Sequence, residues 1–332
     1  MGSLGNIWVT RKIPQKAIDM LREVADVEVW EEELPPPREV VLEKIARLDG
    51  ILPLLTDKMD AVAMDRAPRL RVIANYAVGY DNVDVPAATQ RGILVTNTPG
   101  VLTETTADLA FALLMAAARH VVAGDKYTRA GLWKTWGPLL FLGQDIHHAN
   151  LGLVGLGRIG SEMAKRARGF DMRVRYYDPI RNEAAEEQLG IEYASLETVL
   201  RESDFVSLHT PLTAETRHLI SERELKMMKP TAILINSSRG PVVDQKALYE
   251  ALKSGTIYAA GLDVFDVEPI PEEDPLLTLD HVVAVPHIAS ASYATRTRMA
   301  TLAAENLIAA LKGEQPPTPV NPDVLGSPRR RR

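Results

Sequence analysis

Three short apolar runs in the second half of the chain each end in a residue able to bind an anion or move a proton. AILIN (232–236) runs into Ser237-Ser238-Arg239-Gly240, residues 258–264 run into Phe265-Asp266-Val267-Glu268-Pro269, and residues 281–285 run into Pro286-His287. Read as strands of an open α/β sheet, these runs deliver their side chains to one edge, because ligands of such sheets bind outside the carboxyl ends of the strands. A guanidinium there can hold a carboxylate through two parallel hydrogen bonds, an imidazolium can give a proton to a carbonyl oxygen, and a carboxylate can keep that imidazole protonated. Reduction of a 2-keto acid needs this set and no metal. Taken singly, Arg239, Glu268 and His287 would each more often be a surface or satisfied core residue. Their arrival at three successive strand ends is what argues for a site.

Upstream of this set stands a second motif. The strand candidate 150–154 leads directly into Gly155-Leu156-Gly157-Arg158-Ile159-Gly160 and a helix-compatible stretch, SEMAKRARGF. In this G-x-G-x-x-G the first glycine permits the tight turn, the second lets the backbone approach a pyrophosphate, and the third lets helix pack on strand, while the helix N-terminus offers N–H groups to the anion. A further strand, 173–177, ends in Asp178, eighteen positions after the last glycine, where an acidic side chain can accept hydrogen bonds from an adenosine ribose. Its charge repels a 2′-phosphate and so favours NAD over NADP; Arg181, three residues on, is a cation that could reach a phosphate.

The elements that must position these groups follow from the remaining patterning. Short apolar runs at 7–10, 50–54, 70–76 and 93–96 alternate with amphipathic stretches such as 15–24, and a second alternation runs from Leu151 to about His287. This predicts two α/β units of the Rossmann/flavodoxin kind, each a doubly wound parallel sheet. Between them TETTADLAFALLMAAARH (103–120) is apolar on nearly all sides and lacks Pro and Gly, which predicts one long buried helix. A last helix is expected over 294–312. The Pro-rich GEQPPTPVNP that follows cannot be helical and is expected to pack back along the surface.

At 332 residues the chain exceeds what one core usually serves. Its net charge of -6 argues against a nucleic-acid partner, and the absence of cysteine excludes disulfides, thiolate metal sites and cysteine nucleophiles. With no signal-peptide pattern at the N-terminus and no apolar window of membrane-spanning length, the cytoplasm is the expected compartment and no membrane partner is expected. The terminal run Arg329 to Arg332 is expected to be a solvated tail.

Several ordered blocks together resemble the D-isomer-specific 2-hydroxyacid dehydrogenase family, most closely its glyoxylate/hydroxypyruvate reductases. They are NYAVGYDNVD (75–84), VTNTPGVLTETTAD (95–108), GLGRIG (155–160), HTPLTAETRHLI (209–220), INSSRGPVVD (235–244), GLDVFDVEP (261–269) and PHIASAS (286–292). The resemblance implies that Arg239 binds the substrate carboxylate, that His287 is the proton donor, and that Glu268 pairs with His287. The backbone N–H groups of Val78 and Gly79 would take the other end of the carboxylate. Cofactor contacts are implied at Thr106, at Leu156, Gly157, Arg158 and Ile159, and at Asp178, Pro179 and Ile180. Further contacts are implied at His209, Thr216, Ser237, Ser238 and Asp263, and at Ile288 and Ala289. Hydride would pass from NADH to the keto carbon, in a cleft between units comprising residues 1–99 with 290–332 (substrate) and residues 100–289 (cofactor), the latter inserted into the former. Such proteins are usually homodimers through the cofactor unit, with helix 103–120 a candidate part of the interface. The segment WGPLLFLG (136–143) is similar to a stretch where an aromatic residue reaches across that dimer, which would be Trp136.

Within the family, Glu268 sets this chain apart from formate-oxidising relatives, which carry glutamine there, and Val78 from phosphite-oxidising relatives, which carry lysine in the AVGYDN block. Ala289 stands where glycine is common, and Asp178 where close relatives often have a small hydroxyl residue. Lactate-type dehydrogenases share every motif, 3-phosphoglycerate dehydrogenases need in addition cationic groups for a substrate phosphate, and NAD-sensing transcriptional corepressors use the same fold and the same Arg/Glu/His set as binding modules.

Overall fold

The computed structural model describes residues 3–325, so the terminal arginine run lies outside the described residues. The chain forms two compact units, one from residues up to Leu102 together with those from Ala291 onward, the other from Thr103–Ser290.

In the first unit β1(Asn6–Val9), α1(Gln15–Arg22), β2(Asp26–Val29), α2(Arg38–Lys44), β3(Gly50–Leu52), α3(Ala61–Asp65), β4(Val72–Ala74), α4(Val85–Gln90) and β5(Leu94–Thr96) alternate. The second unit opens on two helices, α5(Thr103–Ala118) and α6(Val121–Arg129). It continues through β6(Asn150–Val154), α7(Arg158–Arg168), β7(Arg173–Tyr177), α8(Glu183–Leu189), β8(Glu192–Tyr193), α9(Leu196–Glu202) and β9(Phe205–Leu208). It closes with α10(Glu222–Leu225), β10(Ile233–Asn236), α11(Gln245–Lys253), β11(Ala259–Leu262) and β12(Val282–Ala284), after which α12(Tyr293–Lys312) belongs to the first unit again.

Both sheets are parallel throughout. The first runs β2-β1-β3-β4-β5, an order that reverses beside β1; the second runs β12-β11-β10-β9-β6-β7-β8 and reverses between β6 and β9. Such a reversal splays the following loops apart and leaves a crevice at the carboxyl edge. Because side chains alternate across a strand, Ile51, Ile73 and Val95 join Trp8 in one core with residues of α2, α3 and α4. On the opposite face α12 lies so close to β3 that a Cβ at Gly50 would meet Leu307 at 3.0 Å. In the second unit Leu151 and Leu153 pack with α5 and α7, while Val154, Val206 and Leu234 pack with α9 and α11. Several helices start on a side-chain oxygen that accepts the N–H three residues on, from Asp60, Asp84, Ser195, Asp244 and Ser292; each such cap contributes about 1 kcal/mol.

The structure departs from the pattern-based expectation in three places. The buried helix expected over 103–120 is α5, which ends at Ala118; what the patterning does not show is α6, which follows His120, at a left-handed φ of 51°, leaves at 62° and buries no residue. The break is held by Gln144, whose N–H takes the Ala118 carbonyl at 2.9 Å, where Gly143 leaves no room for a Cβ. No single helix among the described residues is long and apolar enough to cross a membrane. Strands β2 and β8 lie at sheet edges, and their side chains are exposed or half-buried, so no apolar run marks them. The Pro-rich tail is not helical, as expected, but it does more than cover the surface: Pro319 bridges Thr96 antiparallel and the Val320 N–H reaches the Val95 carbonyl at 2.8 Å.

Asn321 ends that tail inside the protein. Its side chain accepts from the Val95 N–H at 2.7 Å and donates to the Ile93 carbonyl at 3.0 Å and to Thr89 Oγ1 at 2.9 Å. Replacing Asn321 by Ala strips partners from two buried backbone groups, a loss of about 2 to 4 kcal/mol. Differential scanning calorimetry of the Asn321→Ala variant is expected to show an unfolding midpoint lower by several degrees.

Candidate active site

Each of the three strand ends is shaped by its own hydrogen bonds. After β10 the chain turns sharply because buried Asn236 accepts from Ser238 N–H (3.1 Å) and Ser238 Oγ (2.9 Å) and donates to the Arg239 carbonyl (2.9 Å). This turn presents Arg239, half-buried, with Nη1 on the Ser238 carbonyl at 2.9 Å. Gly240 is required next to it, since a Cβ there would stand 1.9 Å from the Phe265 backbone. After β11, the carboxylate of Glu268 folds back to accept the Phe265 N–H at 3.0 Å, leaving its second oxygen for another partner.

That partner is His287, whose Nδ1 lies 2.6 Å from Glu268 Oε2. Beside a carboxylate Nδ1 carries the hydrogen and donates it, which leaves Nε2 for other chemistry; Nε2 has no protein partner among the described residues. His287 adopts a left-handed φ of 50°, a conformation costing on the order of 1 kcal/mol for a residue with a Cβ. It is imposed by Asp263, which is fully buried at the end of β11: its carbonyl accepts the His287 N–H at 3.0 Å, and its two carboxylate oxygens accept Ile288 N–H at 2.6 Å and Ala289 N–H at 3.0 Å.

The electrostatics follow this geometry. Burial pushes the Glu268 carboxyl up, but the hydrogen bond and charge of His287, the Phe265 N–H and the charge of Arg239 together hold it below the usual carboxylate range. Burial pushes Asp263 up to about 6 against the Ile288 and Ala289 N–H groups and the charge of His287, and the charge of Glu268 adds to the rise. Arg239, Glu268 and His287 thus form one group, with Asp263 beneath it.

The dinucleotide loop lies in the same unit, at the reversal of its sheet. Gly155 has φ +96° and a Cβ there would meet the His209 carbonyl at 2.8 Å; a Cβ on Gly160 would meet the Gly155 carbonyl at 2.3 Å. Gly157 faces open space and begins α7 without a side-chain cap, so the N–H groups of Arg158 and Ile159 are available to an anion. Asp178 uses one oxygen on each of two backbone N–H groups, Leu156 at 2.9 Å and Ile180 at 3.1 Å, which ties the end of β7 to the glycine loop. Pro179 and Ile180 are exposed beside it. His209, at the end of β9, accepts or donates at 2.9 Å to Ser207, and burial lowers its pKa to about 4, so the ring is neutral at neutral pH. Ser237 and Thr210, after β10 and β9, carry buried hydroxyls that no described residue engages. A glycine turn open at its middle position, uncapped helix N–H groups and orphaned hydroxyls at adjacent strand ends fit a dinucleotide.

Thr216 spends its hydroxyl on the Pro211 carbonyl and the Thr213 N–H, and Thr106 is buried within α5. Val78 and Gly79 belong to the first unit, on the loop after β4. Asn97 Nδ2 holds the Val78 carbonyl at 2.7 Å and Asn75 Nδ2 holds the Gly79 carbonyl at 2.9 Å, while Asn82 braces Asn75 and the Leu54 and Asp57 carbonyls. With their carbonyls fixed, the two N–H groups have no intramolecular partner among the described residues. The positioning roles of Asn75, Asn82 and Asn97 escape motif reading, their only trace being their place inside the blocks 75–84 and 95–108; Asp263 is named by the resemblance, but as a cofactor contact, whereas its two carboxylate oxygens hold the backbone after His287.

Residues 111–289 match the family model described as D-isomer specific 2-hydroxyacid dehydrogenase, NAD binding domain. A glyoxylate reductase of Korarchaeum cryptofilum is 58% identical over 96% of this chain and 96% of its own length. The chain belongs to the D-isomer-specific 2-hydroxyacid dehydrogenase family. A glyoxylate reductase of Pyrococcus furiosus is 55% identical over 96% of each chain. Among solved structures, a Thermus thermophilus protein superposes with TM-score 0.90 at 51% identity, covering 95% of this chain and 99% of that one. An NADPH-dependent glyoxylate/hydroxypyruvate reductase of Sinorhizobium meliloti, solved with NADP and malonate, gives 0.85 at 36% identity, with 96% and 97% covered. This member of the family is therefore an oxidoreductase with a nicotinamide-dinucleotide unit, acting on small 2-keto acids.

In the Glu268→Gln variant the bond to Nδ1 survives but the charge does not. With its counter-charge gone the proton donor is less well held and paired, and kcat/KM for keto-acid reduction is expected to fall by roughly tenfold or more. A kcat/KM within about twofold of the parent in rate measurements on this variant would separate Glu268 from the proton donor.

Proposed function

We propose that the chain is an NADH-dependent glyoxylate and hydroxypyruvate reductase, acting as a cytoplasmic homodimer. The observation that carries the chemistry is the 2.6 Å contact between His287 Nδ1 and Glu268, with Arg239 close enough for its charge to act on that carboxylate. Arg239 binds the substrate carboxylate, and its bidentate grip fixes the keto carbon in one orientation. His287 passes the Nε2 proton to the carbonyl oxygen as negative charge develops there, and the imidazole is reprotonated from solvent with Glu268 holding the ring in place. A bound nicotinamide supplies the hydride.

The preference for glyoxylate and hydroxypyruvate is supported by the names of the relatives above, and that for NADH by the Asp178 carboxylate at the end of β7, which opposes a 2′-phosphate. The Sinorhizobium relative is named as NADPH-dependent, so the two cofactor choices occur within one fold. The cytoplasmic assignment follows the cofactor, whose reduced pool lies inside the cell. Dimerisation is supported by an apolar stretch between α6 and β6 in which Trp133, Trp136, Leu139 and Leu142 are 58%, 77%, 80% and 62% exposed. A monomer rarely leaves so many large apolar side chains together in water. Trp136 is the residue of this stretch proposed to reach a partner's site.

Initial rates of NADH and NADPH oxidation with glyoxylate, hydroxypyruvate and pyruvate, measured side by side, test the reading. Fast turnover of the first two with NADH is expected. Preference for pyruvate would reassign the protein as a lactate-type enzyme, and NADH binding without turnover on any of the three would reassign it as a binding module.

A further inference from the structure

The loop that follows β7 holds one cation, Arg181, and that cation is already committed. Its Nε donates to Glu186 Oε1 at 2.9 Å and its Nη2 to Glu186 Oε2 at 2.8 Å, with Glu183 at 3.6 Å and the guanidinium 5.8 Å from the centre of the Tyr193 ring. Glu186 is itself anchored: its Oε1 also accepts the hydroxyl of Tyr176, which is fully buried and whose oxygen takes the Asn182 N–H at 2.8 Å. Asp178 occupies the start of the same loop, with both oxygens on backbone N–H groups.

We infer that Glu186 is a determinant of cofactor choice: by holding Arg181 in a two-point ion pair, it denies the loop the cation that a 2′-phosphorylated adenosine requires. The inference rests on reading the Asp178 loop as the part of the cofactor site that meets the adenosine ribose. An exposed ion pair on free side chains contributes little. Here the carboxylate is fixed by a buried tyrosine and the guanidinium lies over a ring, so less side-chain freedom is lost in forming the pair and more is needed to break it. A 2′-phosphate would have to displace Glu186 from Arg181 and then remain beside the carboxylate it displaced. Discrimination against NADPH thus has two parts, the charge of Asp178 and the sequestration of Arg181. Replacing Asp178 alone removes only the first.

The test is binding, by calorimetry, of 2′,5′-ADP and 5′-AMP to the full chain and to three variants. Glu186→Gln keeps an acceptor for the Tyr176 hydroxyl while removing the charge, and is expected to improve 2′,5′-ADP relative to 5′-AMP about threefold or more. Arg181→Gln alone should leave the ratio within about twofold of the parent, since Arg181 is already withheld, and Glu186→Gln with Arg181→Gln should lose the gain. An unchanged ratio in Glu186→Gln, or a gain that persists without Arg181, overturns the inference while normal 5′-AMP binding keeps the cofactor reading intact. Failure of 5′-AMP to bind the parent chain would overturn both.

Discussion

Asp263 is fully buried, and every acceptor it offers is spent on the loop that carries His287. An unpaired carboxylate in such a place would be costly; satisfied by two N–H groups, it instead dictates the backbone of residues 287–289. The left-handed φ of His287 is the price of that loop, and the contact with Glu268 is its product. Neither His287 nor Glu268 would find the other without a third acidic residue that touches no reacting atom.

The parallel sheets explain why these groups can meet at all. Three neighbouring strands, β10, β11 and β12, end at the same edge, and each is followed by a turn that its own side chains close: Asn236 after the first, Glu268 after the second, Asp263 across to the third. Gly240 lets the first turn press on the second. The first unit uses the same device with neutral amides, Asn75 and Asn97 holding the Gly79 and Val78 carbonyls and so fixing the loop after β4. In both units, side-chain hydrogen bonds to the backbone fix loops that would otherwise sample many conformations.

Much of this was legible in the residues. The strands β6 and β7 fall where the apolar runs and the glycine motif place them, because a buried parallel strand is continuous in its hydrophobicity and a dinucleotide turn is strict in its spacing. The edge strands β2 and β8 were not legible, since their side chains face water and show no run. Helix α6 was hidden because it buries no residue and so carries no apolar stripe, and the turn before it is held by the Gln144 N–H on the Ala118 carbonyl, from 26 residues downstream. The same holds for Asn321, whose role depends on a strand more than 200 residues away. For the site, residue types at strand ends were readable, whereas Asp263 and the two asparagine clamps act through long-range hydrogen bonds to the backbone that no local pattern encodes.

The central claim is that His287 delivers the proton while the hydride is transferred, in a geometry the rest of the site exists to hold. Single-turnover reduction of glyoxylate by NADH in a His287→Gln variant, with NADH affinity measured on the same sample, addresses it most directly. The account predicts a hydride-transfer rate lower by about 10²- to 10⁴-fold with NADH binding retained. A rate within a few-fold of the parent, at full NADH occupancy, would contradict it.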